Sequence, residues 1–149
     1  MVWAGFCREA RTPLCFISTR MDSVSYCQML QEYLIPFTRH TFTGEYTFQQ
    51  DNAPCHRARN TIQWLTDHGI KVMEWPALSP DLNPIENLWG ILARKVYSGG
   101  KQYETTAELK EAILRAWAEI DERVICALVS SMQQRMIDII KSEGNAINY

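Results

Sequence analysis

The segments TFQQDNAPCH (residues 47–56) and WPALSPDLNPIENLW (residues 75–89) decide the fold of this chain. Asp51 lies in the first segment and Glu86 in the second, and thirty-four residues separate them. That distance accommodates a helix, a return strand and the start of a second helix. Because functional groups gather where the strands of an α/β sheet end, we expect both carboxylates at one edge of a sheet. Their oxygen atoms would suit a divalent metal there.

The hydrophobic pattern predicts short strands that alternate with helices. The predicted strands cover residues 1–6, 14–18, 46–50 and 71–75. The predicted helices cover residues 23–33, 60–68, 84–97, 105–121 and 122–142. Pro36 is expected to stop the first helix, and Ile62 and Leu65 are expected to face inward on the second. The strand at residues 46–50 is interpreted as a central strand whose end carries Asp51.

Apolar residues at helical spacing predict the buried faces of the last three helices. The expected inward residues are, in chain order, Ile85, Leu88, Trp89, Leu92 and Val96, then Leu109, Ile113, Ala116, Trp117 and Ile120, and finally Val124, Leu128, Met132, Met136, Ile139 and Ile140. These helices make the C-terminal part of the chain helical.

Each candidate site residue also has a purely structural interpretation. Glu86 lies three residues after Asn83, with Pro84 between them, which is the arrangement of a capping box at a helix start. Asp51, followed by Asn52 and Pro54, is compatible with an ordinary exit from a strand into a loop. His56 either orients a nearby carboxylate or phosphate or is an ordinary surface or core histidine. The local sequence leaves these alternatives open.

The two segments together resemble the catalytic domain of Tc/mariner superfamily transposases. Residues 49–56 are similar to the family's QxDNxPxH-like segment, and residues 75–89 are similar to its WPxxSPDLNPIExLW segment. The resemblance extends over nearly the whole chain. It implies an α/β, ribonuclease-H-like mixed sheet flanked by helices, with a helical C-terminus, and a triad of two Asp and one Glu. Asp51 corresponds to the second triad carboxylate and Glu86 to the third.

The resemblance also implies a chemistry and its partners. The family cleaves DNA at transposon ends and joins the freed end to target DNA with Mg²⁺, or Mn²⁺, held by the triad. Asp51 and Glu86 are therefore the expected catalytic and metal-binding residues. Asn52, His56, Arg57 and Arg59 are candidates for contacts to DNA or to the metal ligands. We expect no membrane and no small-molecule substrate.

The chain departs from the family pattern at its start. The family's first triad Asp lies on the first strand of the fold, upstream of a strand that resembles residues 1–6. The acidic residues before Asp51 are Glu9, Asp22, Glu32 and Glu45, none in a suitable position, and Asp22 fits a helix cap better. We therefore expect the first strand to be missing and catalysis to be impaired. A non-catalytic nucleic-acid-binding or protein-interaction module is the alternative.

Composition sets broader limits. A length of 149 residues with 46% hydrophobic residues fits one domain over residues 1–149. The net charge of −2 is low for a dedicated nucleic-acid-binding module. Basic residues near the two segments are interpreted either as solvated helix faces or as DNA contacts: Arg57, Arg59, Arg94, Lys95 and Lys101.

The cysteine count, the N-terminus and the predicted sheet bear on compartment and assembly. Five widely spaced cysteines and an N-terminus without a signal-peptide pattern favour a nuclear or cytosolic protein. A sheet edge exposed by a missing first strand would favour a homodimer.

Overall fold

The computed structural model describes residues 1–18 and 20–147. The chain divides into two compact units. The first combines Met1–Gly5 with Arg11–Leu78, and the second combines Phe6–Ala10 with the chain from Ser79 onward. The single domain expected from the chain length stays a prediction. Among the described helices, none combines the length and apolar character that crossing a bilayer requires.

The strands of the first unit are short and form two separate pairs. They are β1 (Val2–Trp3), β2 (Cys15–Phe16), β3 (Thr47–Phe48) and β4 (Lys71–Val72). β1 and β2 are antiparallel, whereas β3 and β4 are parallel, with Thr47 opposite Lys71. All four predicted strands exist. Each is shorter than predicted, and β3 pairs only with β4 in the described part of the chain.

The first long helical segment runs from residue 23 to residue 41. It comprises α1 (Ser23–Met29), a π-helical segment (Leu30–Leu34) and α2 (Ile35–Thr41). Asp22 caps α1, since its carboxylate accepts from the N–H of Ser25 at 2.8 Å. The prediction that Pro36 stops this helix is wrong. The N–H of Ile35 reaches back five residues to the carbonyl of Leu30, and this wider turn places Pro36 in the first turn of α2, where proline is tolerated.

Two shorter helices follow β3: α3 (Pro54–Arg57) and α4 (Arg59–Asp67). The inward position of Leu65 is confirmed, but Ile62 is 54% exposed. Thr61, which is fully buried, takes the inward position instead. The hydroxyl of Thr61 donates a hydrogen bond to the carbonyl of Cys55 at 2.6 Å. Because this hydrogen bond satisfies the buried polar group, a polar residue can occupy the buried face. The core of the first unit is formed mainly by α1, the π-helical segment and Leu65 of α4.

The second unit is helical. Its main helices are α5 (Pro84–Val96), α6 (Thr106–Ala118) and α7 (Glu122–Lys141), with short 3₁₀ turns at Pro80–Leu82 and Ser98–Gly100. Side chains of Asn83, Thr105 and Asp121 cap the three helices by accepting backbone N–H groups. The predicted helix starts are therefore correct to within one residue, because the capping residues mark them.

The buried face of α7 differs from the prediction. Met136 is 38% exposed and Ile140 is 75% exposed, although both were expected to face inward. The most buried residues of α7 are Ile125 and Arg135. A buried arginine shifts the inward face away from the purely apolar stripe, which hydrophobic periodicity alone cannot detect. On α5, by contrast, the predicted Leu88, Leu92 and Val96 are all buried.

Candidate functional site

Asp51 lies three residues beyond β3, and its side chain is 52% exposed. One carboxylate oxygen, Oδ1, accepts the N–H of Ala53 at 2.9 Å. The same oxygen lies 2.6 Å from Nδ1 of His56. Within the described residues the second oxygen, Oδ2, accepts no hydrogen bond. The carboxylate is thus held through Oδ1, and its side chain stays about half exposed.

His56 is positioned by α3, which begins at Pro54. Its Nδ1 faces two acceptors, the carboxylate of Asp51 and the backbone carbonyl of Asp51 at 3.2 Å. Because the backbone carbonyl can only accept, this geometry assigns the proton to Nδ1. The imidazole therefore contacts the Asp51 carboxylate directly, and a role for His56 in a functional site stays a prediction.

The ring of Tyr26 packs against the ring of His56. The two ring centroids lie 4.3 Å apart, and the hydroxyl of Tyr26 donates to Oε1 of Gln50 at 2.8 Å. Burial raises the pKa of Tyr26 far above its ordinary range, so the hydroxyl keeps its proton and remains a donor. Sequence reasoning missed this contact, because Tyr26 falls on the apolar stripe of α1 and nothing in the pattern distinguishes it from a core residue.

Asn52 connects the two sequence segments. Its side-chain Nδ2 donates to the backbone carbonyl of Trp75 at 2.7 Å. Trp75 is the first residue of the segment that leads to Glu86, so this hydrogen bond fixes the exit of β3 against the chain beyond β4. The amide donor of Asn52 is used structurally.

Other residues near Asp51 differ in their exposure. Burial raises the pKa of the Cys55 thiol, so Cys55 stays protonated and is a poor metal ligand. Arg57 ends α3 and Arg59 begins α4, and both side chains are exposed. The two guanidinium groups therefore add positive charge close in sequence to Asp51.

Glu86 occupies the first turn of α5 and is exposed. Asn83 caps this helix by accepting the N–H of Ile85 at 3.4 Å, and the N–H of Asn83 donates to the carbonyl of Pro80 at 3.0 Å. A negative side chain is favoured here by the partial positive charge at the helix start. The capping arrangement and a ligand role are therefore compatible at this position.

Arg135 of α7 was not predicted and stabilises the approach to Glu86. It is 1% exposed and donates to the carbonyl of Asp81, to Oδ1 of Asn87 at 2.8 Å and to the hydroxyl of Ser131 at 3.0 Å. These bonds attach the turn before α5 and the residue after Glu86 to α7. A lone arginine on an amphipathic helix gives no sequence signal for this role.

The donor atoms are compatible with a hard divalent cation. Asp51 and Glu86 offer exposed carboxylate oxygens, the ligand type that Mg²⁺ prefers. Asp51 belongs to the first unit and Glu86 to the second, and their convergence stays a prediction. Within residues 1–18 and 20–147, no three His, Cys, Asp or Glu side chains cluster as metal ligands.

A family model described as "DDE superfamily endonuclease" matches residues 1–110. The Tc3 transposase of Caenorhabditis elegans is 44% identical to the chain over 149 residues, which is all of this chain and 45% of that protein. The chain spans about half the length of the curated relatives it matches.

Solved structures with low sequence identity share the fold. The Mos1 transposase catalytic domain, solved with Raltegravir and Mg, has a TM-score of 0.84 at 17% identity and covers 99% of this chain and 76% of that one. The Mos1 paired-end complex with the left transposon end has a TM-score of 0.86 at 18% identity and covers 99% of this chain and 44% of that one. The expected ribonuclease-H-like α/β fold is confirmed.

The chain belongs to the DDE superfamily endonucleases and, among them, to the Tc/mariner transposases. The segments at residues 47–56 and 75–89 both lie inside the matched region.

Proposed function

We propose that Asp51 and Glu86 are two of the metal-binding carboxylates of a DDE transposase, and that the chain acts in DNA strand cleavage and transfer. The observation that carries this proposal is the Asp51 carboxylate itself. It follows a strand inside the family match, one of its oxygens contacts His56 and accepts from Ala53, and its side chain is 52% exposed. Such a carboxylate is held by its neighbours and accessible to a cation.

The cation in this proposal is Mg²⁺ or Mn²⁺. Asp51 and Glu86 would hold it, and His56 would keep the Asp51 carboxylate in a single orientation. When bound, the metal would supply activation of a hydroxyl nucleophile and stabilisation of the leaving oxygen in phosphoryl transfer. The Mos1 catalytic domain, which shares the fold and was solved with Mg, supports this choice.

The partner in this proposal is DNA, as transposon ends and as target. The left transposon end in the Mos1 paired-end complex supports it, as do the exposed Arg57 and Arg59, which are close in sequence to Asp51. Action on chromosomal DNA would require residence in the nucleus. Association of two copies of the chain is also part of the proposal, and light scattering would measure it through the molar mass.

Calorimetric titration with Mn²⁺ tests the metal site. We expect the chain to bind Mn²⁺, Asp51→Asn and Glu86→Gln to lose that binding, and His56→Ala to weaken it by about tenfold or more. Glu45→Gln is the matched control, since Glu45 is an exposed carboxylate outside both segments. His68→Ala controls for the histidine, because His68 also packs on an aromatic ring but contacts no carboxylate among the described residues.

The outcomes separate the two functional classes. Loss of Mn²⁺ binding in Asp51→Asn and Glu86→Gln, with Glu45→Gln unchanged, supports the metal site. Absence of Mn²⁺ binding in the unaltered chain would contradict it. If that chain still bound DNA, the non-catalytic module would be the better description.

A further inference from the structure

The second unit contains a basic cavity of about 550 Å³ between α5 and α6, defined by Arg94, Lys95, Lys101 and Arg115 together with Glu119. Its charged lining comprises four cations and one carboxylate, although the whole chain has a net charge of −2. A second cavity, of about 370 Å³ in the first unit, has no Lys, Arg, Asp or Glu among the described residues that line it. Positive charge is thus concentrated at the α5–α6 cavity, although the net charge of the whole chain is negative.

The four cations of the cavity differ in their ion pairing. Lys95 contacts Glu119 at 3.5 Å, and Arg115 contacts Glu111 at 2.8 Å. For Arg94 and Lys101, no ion pair occurs with any other residue in the described ranges 1–18 and 20–147. All four side chains that carry these charges are exposed. The charges of Arg94 and Lys101 are therefore available to an external anion.

The cavity is held in place by local structure. Gly99 and Gly100 have φ values of 71° and 72°, a conformation that side chains disfavour, and they turn the chain so that Lys101 lines the cavity. The hydroxyl of Tyr103 donates to the carbonyl of Val96 at 2.6 Å, which ties the following segment to the end of α5. The position of Lys101 is therefore set by a defined turn.

We propose that the α5–α6 cavity binds the phosphate backbone of DNA through Arg94 and Lys101, with Lys95 and Arg115 adding positive charge. Arginine and lysine are the usual partners of backbone phosphates, and such contacts position DNA without reading its sequence. This inference rests on the proposed function, since that function supplies DNA as the anion.

The position of the cavity along α5 is compatible with one DNA duplex that reaches both Glu86 and the cavity. Arg94 lies eight residues after Glu86 on the same helix, which corresponds to about 12 Å along the helix axis. Successive base pairs of B-DNA are about 3.4 Å apart. A duplex that lay along α5 with a phosphate at the level of Glu86 would therefore have another phosphate at the level of Arg94, a few base pairs away.

The test measures binding of the full chain to a mixed-sequence DNA duplex at several salt concentrations. The double variant Arg94→Gln/Lys101→Gln should bind roughly tenfold or more weakly at low salt. The slope of log K against log salt should become shallower by about 1 for each lost contact. Arg123→Gln/Lys141→Gln removes the same charge from exposed positions of α7 outside the cavity and is the matched control.

The results distinguish the inference from the function on which it rests. Weaker binding and a shallower slope in the cavity variant, with a small change in the control, support the cavity. Equal effects in both variants, or no effect in either, would overturn it while leaving DNA binding intact. A chain that binds no DNA would contradict both this inference and the DNA-binding part of the proposed function. Thermal unfolding followed by circular dichroism checks that both variants are folded.

Discussion

Asp51, His56, Tyr26 and Gln50 form a continuous set of contacts in the first unit. The hydroxyl of Tyr26 bonds Gln50, its ring packs on His56, and His56 contacts Asp51. The sequence predicts Asp51 and His56 as site residues, because both match fixed positions of the family's QxDNxPxH-like segment. Tyr26 and Gln50 could not be predicted, since their roles depend on how α1 packs beside β3 and α3.

Tyr26→Phe tests this contact through its pH dependence. Burial raises the pKa of Tyr26 above its ordinary value of 10.0, so the folded chain keeps a proton that the unfolded chain releases above that pH. Stability should therefore fall as pH rises past that value. At neutral pH the variant should be less stable by about 1 kcal/mol, from the lost hydrogen bond to Gln50.

Urea unfolding of both proteins at neutral and alkaline pH measures the difference. Between neutral and alkaline pH, the free energy of unfolding should fall more in the unaltered chain than in Tyr26→Phe. Parallel losses in the two proteins would show that Tyr26 does not titrate as its burial requires.

At the scale of the elements, the sequence predicts where helices begin better than which face they bury. Capping residues such as Asp22 and Asn83 act locally, so their effect is visible in the sequence. The continuation of the helix past Pro36 depends on the π-helical turn before it, and the inward face of α7 depends on Arg135. Both features arise from hydrogen bonds whose partners the local sequence does not specify.

Arg135→Lys tests the role of α7. Lysine keeps the charge but cannot place donors on Asp81, Asn87 and Ser131 together, as the guanidinium group does. We expect a loss of about 2–3 kcal/mol in the free energy of unfolding. Amide hydrogen exchange should also become faster in the turn at Pro80–Leu82 and in the first turn of α5.

Arg123→Lys is the matched control, because Arg123 lies on the same helix but is exposed. It should change stability by less than about 0.5 kcal/mol. Equal stability of the two variants, or unchanged exchange near α5 in Arg135→Lys, would contradict the assignment of Arg135 as the residue that fastens this turn.

At the scale of the molecule, the fold was predictable because two separate segments agree with one family. The hydrogen bond from Asn52 to Trp75 shows part of the physical reason, since it joins the start of one segment to the other. Strand lengths were less predictable. They depend on pairing between distant parts of the chain, and the described strands are each two residues long.

Anomalous diffraction from crystals grown with Mn²⁺ tests the central claim most directly. We predict a manganese peak in coordination range, about 2.1 Å for a hard octahedral cation, of carboxylate oxygens from both Asp51 and Glu86. The claim that Asp51 and Glu86 form one metal site would be contradicted by a different result. In that result no manganese peak lies beside either carboxylate, and the two carboxylates are too far apart to bind the same ion.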